Sequence, residues 1–430
     1  MSSIGVVSLG CMKNLVDTER MLGLLRAAGH RFVSAPAEAE VLIVNTCGFI
    51  EAAKQESINT ILELAARKRT GRCRLLVATG CLTQRYREEL SEALPEIDLM
   101  IGVREYDRLP ALLAEALGQP APAPVCGAPR VLTTPPYRAF LRVGDGCSNR
   151  CAYCAIPLIR GPLQSEPIEA LLDEAKRLSD GGVTELTVIA QDTSGYGVDR
   201  YGRPRLMELL RRLTEIDALH WVRVLYTYPD TVTPALIDEI RENEKLVNYL
   251  DMPLQHVNDA MLAAMHRRGS QAHIRRVLEH VERTAPDFIL RTTMMVGFPG
   301  ETDAQFEELL AFLRDHPFDR VGAFAFSPED GTPAADMPGQ IPDEVKQARL
   351  DALMTQQRGI SRRRGQRRVG QEVEVLIEGV DAHGAFGRSY AEAPDVDGRI
   401  LLPGASAVPG TYRLVRLTHA RDYDMIGELL

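Results

Sequence analysis

Three short phrases constrain this chain more than any other feature. They are "VVSLGC" (Val6–Cys11), "VLIVNTC" (Val41–Cys47) and "LLVATGC" (Leu75–Cys81). Each is an apolar run of strand length, one or two turn-prone residues, and a cysteine. The intervening segments read as helices: one follows Asn14 as N-cap and stops at Gly29, a second runs from Glu51 to Lys68, and a third from Gln84 to Leu94. A β-α-β-α-β-α order demands a parallel sheet with right-handed crossovers. The cysteines at 11, 47 and 81 are 36 and 34 residues apart, one repeat each time. Equivalent positions at the carboxyl ends of successive parallel strands lie side by side, at the crevice where such sheets bind ligands. Taken singly, each cysteine reads as a core thiol. Together they predict three sulfurs converging on one site with no fourth protein ligand.

A chain of 430 residues is too long for one small domain. Residues 1–117 form the first unit. Residues 118–136, "GQPAPAPVCGAPRVLTTPP", hold six prolines without apolar periodicity, and predict a stiff linker. Residues 137–341 alternate again, with strands expected at Phe140–Val143, Glu185–Ala190, Val222–Tyr226, Val247–Asp251, Phe288–Val296 and Val321–Phe326. Helices are expected between them, among them Arg205–Leu213, Pro234–Glu242 and Asp303–Leu313. Six β/α units predict a partial barrel with its chemistry at the strands' carboxyl ends. Residues 342–368 predict a charged connecting helix. Residues 369–430 change to short alternating strands punctuated by Gly and Pro, a small antiparallel β-barrel of about five strands.

The N-terminal stretch lacks the basic start and apolar run of a signal peptide, and nothing approaches about 18 consecutive apolar residues. The expectation is a cytoplasmic protein with no membrane partner. There, thiols stay reduced, so the eight cysteines are not a disulfide framework. A formal net charge of −9 argues against a protein that works mainly by clasping nucleic acid.

Three of the eight cysteines crowd into "GCSNRCAYC", where Cys147, Cys151 and Cys154 are spaced C-x3-C-x2-C. Buried structural thiols are improbable at this density. Structural zinc normally takes four protein ligands, and no Cys or His follows closely enough to be the fourth. An iron–sulfur cluster with one open iron fits better than either alternative, because ferredoxin-type runs carry a fourth Cys that is missing here. Cys73 and Cys126 lie outside both trios and read as bystanders.

With Tyr153 at the aromatic position, C-x3-C-x-aromatic-C at the end of a first barrel strand resembles the signature of the radical S-adenosylmethionine (SAM) superfamily. The resemblance implies that the open iron chelates SAM, and that an electron donor reduces the cluster to cleave SAM into methionine and a 5′-deoxyadenosyl radical. With a second trio and a β-barrel tail, the whole chain resembles the methylthiotransferases. That implies two [4Fe–4S] clusters, a SAM-cleaving one on Cys147, Cys151 and Cys154 and a sulfur-carrying one on Cys11, Cys47 and Cys81. One SAM would supply a methyl group to sulfur, a second the radical that opens a C–H bond. The same resemblance suggests SAM contacts at Tyr153, Glu185, Gln191, Gly297, Glu301 and Arg160. His256 reads as a satisfied loop histidine.

The phrases "SLGCMKNLVDTE", "VNTCGFIEAAKQESINTIL", "YLDMPLQH", "RTTMMVGFPGE" and "AFSPEDGTPA" resemble the RimO-type branch, which acts on an aspartate β-carbon of small-subunit ribosomal protein twelve. The MiaB-type branch, acting on a tRNA adenosine, is the alternative. Charge supports the first: from Arg368 onward there are six Arg, no Lys and ten Asp or Glu, a net of −4. A tail built for tRNA phosphates would be basic, whereas an acidic one suits a basic ribosomal protein. Five arginines in Ser361-RRRGQRR read as a solvated helix end, with ribosomal RNA contact as the other reading. A rival of another class, a non-catalytic ribosome- or RNA-binding module, would hold structural zinc.

Overall fold

The computed structural model describes residues 1–123 and 127–430, so Cys126 lies outside the described residues. The first sheet has the order β2-β1-β3-β4-β5, from β1 (Ser3–Ser8), β2 (Arg31–Phe32), β3 (Val41–Thr46), β4 (Leu75–Gly80) and β5 (Leu99–Ile101), and every pair is parallel. Strands β3 and β4 are buried along their entire length, as parallel strands sandwiched by helices must be. Helix Met12–Ala27 ends where expected, with Gly29 at φ +88°. The expected third helix is two pieces, Cys81–Arg85 and Arg87–Ala93, broken at Tyr86. Asn14 is a correction: Cys11, not Asn14, precedes the helix, and Asn14 sits buried in its first turn.

All six central strands are present: β6 (Arg138–Arg142), β9 (Glu185–Ile189), β10 (Trp221–Val224), β11 (Tyr249–Asp251), β12 (Ile289–Val296) and β13 (Arg320–Ala325). They pair in parallel as β10-β9-β6 and β11-β12-β13, and a single bridge from Val222 to Leu246 joins the two halves into an open arc. A two-residue antiparallel ladder, β7 (Gly144–Asp145) with β8 (Gln164–Ser165), closes the base of the loop carrying Cys147, Cys151 and Cys154. Helix Asp343–Gln366 then leads to a closed barrel of β14 (Glu372–Asp381), β15 (Gly384–Arg388), β16 (Ile400–Pro403), β17 (Tyr412–Ala420) and β18 (Met425–Leu429). One of its ladders, β16 with β18, is parallel, so the expected antiparallel barrel is not wholly so.

The flanking units cap the arc at opposite ends. The small barrel seats against the residues that open the central strands: Tyr137 and Thr184 bond to Glu378 and Tyr412, Glu185 pairs with Arg388, His220 meets Glu374, and Arg320 pairs with Glu392. The first unit docks on the carboxyl ends, where Asp17 pairs with Arg142 and Arg160, Glu19 with Arg130, and Glu329 with Arg85 and Lys54. One apolar column fills the space between. It runs through Met12, Phe140, Trp221, Tyr249 and Ile289 to Leu376 and Ala391. Among the described residues, no helix is long and apolar enough to cross a membrane.

Candidate active site

Strands β1, β3 and β4 are neighbours, and the pairing of Thr46 with Gly80 makes Cys47 and Cys81 the next residues across the ladder. Cys11 reaches them through Gly10, whose φ is +88°. A Cβ at that glycine would lie 2.8 Å from the Cys47 Cβ and 3.0 Å from its Sγ. The Asn14 amide donates to the carbonyls of Leu9 (2.6 Å) and Thr46 (3.2 Å), clasping the Cys11 loop to the Cys47 loop. The Ser57 hydroxyl accepts from the Cys47 N–H and donates to its carbonyl, both at 3.0 Å. Burial pushes the Cys81 thiol up to about 12, against the pull of Arg160, whose Nη2 lies 3.5 Å from Sγ. Negative charge on Cys11 and Cys47 would raise it further, so the three thiols share one electrostatic environment.

The second trio rides a loop in which Arg150 takes a left-handed φ of +54°. The loop is tied down by Cys147 N–H to Gly161 O (3.0 Å) and Ala152 N–H to Met265 O (2.9 Å). Burial raises Cys147 to about 11 and Cys154 to about 12. Arg267 is buried behind this loop. Its guanidinium donates to Tyr153 Oη (3.0 Å) and Pro253 O (2.6 Å), lies 3.9 Å from Cys151 Sγ, and stacks 4.3 Å over the Tyr228 ring. Tyr228 Oη is itself 3.9 Å from Cys151 Sγ.

The two trios come near one another at Cys81. Cys81 packs with Ala155 and Ile159, on the turn that follows Cys154. Tyr226 and Tyr228, two residues apart, touch opposite sides: Tyr228 reaches Cys151, while the Tyr226 ring lies 3.0 Å from the ammonium of Lys13, two residues beyond Cys11. Tyr226, Gln255 and His266 join Arg150 in left-handed backbone, at φ +64°, +69° and +53°. Non-glycine residues held there gather at functional sites.

Among the described residues, no three His, Cys, Asp or Glu side chains are gathered as they would be around one metal ion. A zinc tetrahedron brings its thiolates to roughly 3.8 Å of one another, whereas a cubane cluster seats each thiolate on its own iron and spreads them. An all-thiol donor set suits iron–sulfur binding. Two buried acceptors past the strands' carboxyl ends, Gln191 Oε1 and Gln255 Oε1, have no partner among the described residues, and suit a ligand with ammonium and hydroxyl donors such as SAM.

The expected SAM contacts divide. Tyr153 and Gln191 lie at the mouth, Gln191 donating to Asp145 at 3.3 Å. Arg160 belongs to the other trio: it is buried against Cys81 and held by Asp17 (2.8 Å) and Asp145 (3.0 Å) of the chain itself. Glu185 is a correction. It is the first residue of β9, at the amino end, locked onto Arg388 (2.6 Å) and Arg223 (3.5 Å). Glu301 is another, since His256, the Gly297 N–H and Arg349 occupy its carboxylate. Gly297 serves packing: at φ +72°, a Cβ there would meet Lys346 Cγ at 2.3 Å. His256 is a satisfied buried histidine, and Cys73 a core thiol. Lys13, Tyr226, Tyr228 and Arg267 escaped the sequence reading. For Lys13, Tyr226 and Tyr228 the available signal was position just after a proposed ligand or a strand; Arg267, after the helix Asp259–Ala264, had none.

Comparison with known proteins gives the chain its relatives. The model of an uncharacterized protein family, UPF0004, matches residues 3–102, that of the radical SAM superfamily residues 141–313, and that of the TRAM domain residues 369–430. The ribosomal protein uS12 methylthiotransferase RimO of Geobacter sulfurreducens is 44% identical, over 99% of this chain and 98% of its own length. That of Symbiobacterium thermophilum is 46% identical, over 99% and 90%. Among solved structures, the radical SAM methyltransferase TsrM of Kitasatospora setae aligns with a TM-score of 0.58 at 13% identity, covering 78% of this chain and 75% of TsrM. OxsB, a cobalamin-dependent SAM radical enzyme, aligns at 0.52 and 10%, covering 83% and 56%. Both likenesses are of fold.

Proposed function

The chain belongs to the family of ribosomal protein uS12 methylthiotransferases, and from that membership we propose how its residues divide the reaction. It is a radical SAM enzyme whose cofactors are SAM and [4Fe–4S] clusters. The reading is that it adds a methylthio group to the β-carbon of an aspartate in the small-subunit ribosomal protein. What supports it is Cys81 of the first domain packed beside Ala155 and Ile159, next to the second trio, in a chain matched from end to end.

When bound, the clusters supply one-electron cleavage of SAM at one trio and a place to hold transferable sulfur at the other. Cys147, Cys151 and Cys154 would ligate the first, and Cys11, Cys47 and Cys81 the second. Arg267 holds a positive charge beside Cys151 and fixes the Tyr153 ring. Arg160 does the same beside Cys81 and ties that trio to the barrel through Asp17 and Asp145. The apolar column behind the mouth excludes water from the barrel interior. A reducing electron donor is the second partner, and the exposed Arg362, Arg363 and Arg367 offer charge to ribosomal RNA.

Anaerobic reconstitution tests the two-cluster assignment. Iron should exceed about six atoms per chain, and fewer would sink it. Changing Cys147, Cys151 and Cys154 to Ala should abolish SAM cleavage. Changing Cys11, Cys47 and Cys81 should stop methylthio transfer while SAM is still cleaved. Mass spectrometry of uS12 and of tRNA from a deletion strain identifies the acceptor.

A further inference from the structure

Lys13 is a buried cation that no carboxylate pairs directly among the described residues. The residue is 7% exposed, yet among the described residues no carboxylate lies within 4.0 Å of its ammonium. The Tyr226 ring face, 3.0 Å away, is its close neighbour. The nearby carboxylates are taken. Asp251 gives one oxygen to Arg291 (2.8 Å) and the other to the Tyr226 N–H (2.9 Å), while Asp17 and Asp145 hold Arg160. The groups facing Lys13 are therefore the Cys11 thiol, the satisfied Asp251, and the cations Arg160 and Arg291. An ammonium kept out of water is costly, and a cation–π contact offsets only part of that cost.

Its position is as telling as its charge. Lys13 follows Cys11 by two residues, and its ring partner Tyr226 precedes by two residues the Tyr228 that touches Cys151. Two residues of chain span at most about 7 Å, so the Lys13–Tyr226 pair lies close to both cysteine trios. Resting on the aspartate reading above, we propose that Lys13 is the positioning residue that receives the acceptor's side-chain carboxylate. The reacting β-carbon is bonded to that carboxylate. Fixing the carboxylate on Lys13 leaves the adjacent C–H bond in the gap between the SAM-cleaving and sulfur-carrying sites. The same contact sets specificity, because an amide or a nucleobase would leave the buried ammonium without a countercharge.

The test uses reconstituted full-length enzyme with two synthetic uS12 loop peptides, one with the acceptor aspartate and one with asparagine. Binding is read by fluorescence anisotropy in the presence of SAM without reductant, and turnover separately. Wild type should prefer the aspartate peptide by about tenfold or more. Lys13→Met, which keeps the stem but not the charge, should erase that preference by weakening the aspartate peptide alone, and raise KM more than it lowers kcat. Lys13→Arg should retain the preference, and covers the case in which Lys13→Met fails to fold. Lys13→Met binding both peptides in the wild-type ratio, or losing both equally, overturns the role of Lys13, as does Lys13→Arg losing the preference. A wild type that cleaves SAM but neither binds nor modifies the aspartate peptide overturns the substrate reading, and this inference with it.

Discussion

At Gly10, the chain turns with φ +88° and passes so close to Cys47 that a methyl group would displace it. An L-residue in that backbone region costs about 1–2 kcal/mol before any collision is counted. Gly10→Ala should therefore separate Cys11 from Cys47 and cut the iron bound after reconstitution to about half, leaving SAM cleavage by the other trio in place. Iron assay and 5′-deoxyadenosine formation measure the two halves, and full iron loading would refute the claim. The neighbouring placement of Cys47 and Cys81 was legible because a repeated phrase sets it without reference to anything distant. Lys13 was not, since what buries it is Tyr226, 213 residues further along. Glu185 failed differently: its strand was found, but a residue that opens a strand lies at the end opposite the loops, and its partner Arg388 sits in another domain.

Among elements, the segment after β13 does more than close the arc. Glu329, 2% exposed, accepts from Arg85 (2.9 Å) and pairs with Lys54 (3.3 Å), while Asp330 accepts from the Tyr86 hydroxyl (2.9 Å). It therefore straps the first domain onto the barrel mouth at the helix that begins with Cys81. Removing one partner of a buried pair costs about 3–5 kcal/mol, because the other charge is stranded. Glu329→Ala should loosen this dock by that order, seen as faster hydrogen exchange over residues 81–86 and 327–332. Unchanged protection would mean that the strap is not needed. Strand and helix positions were readable from periodicity, since each element's apolar pattern is local. The strap was not, because "AFSPEDGTPA" read alone is a turn-rich loop.

For the whole molecule, acid is the informative probe. Burial alone would raise Glu185, but Arg388 and Arg223 overcome it and bring the carboxyl down to about 2; Arg368 and Arg320 do the same for Glu392. Both carboxylates sit where the small barrel meets the central arc. A carboxyl depressed on folding contributes stability that is fully present above its unfolded value near 4.5. That contribution fades as pH falls toward 2, on the order of 3 kcal/mol for each group. The small barrel should therefore undock within that window before neutral-pH contacts fail. Tryptophan fluorescence reports it directly, because the single Trp221 stacks edge-on to Tyr412 of the small barrel at 4.9 Å. A signal flat down to pH 3 would contradict this. Domain order was legible from composition, but the face each domain presents was set by side-chain pairs hundreds of residues apart.

The apolar column from Met12 to Ala391 has a temporal consequence. Its floor is supplied by residues 376–393, which are translated after everything they seal. Folding during synthesis proceeds from the N-terminus, so the six-strand arc must wait with its interior open at one end. Polypeptides that stop short of the floor would leave Phe140, Trp221 and Tyr249 open to water.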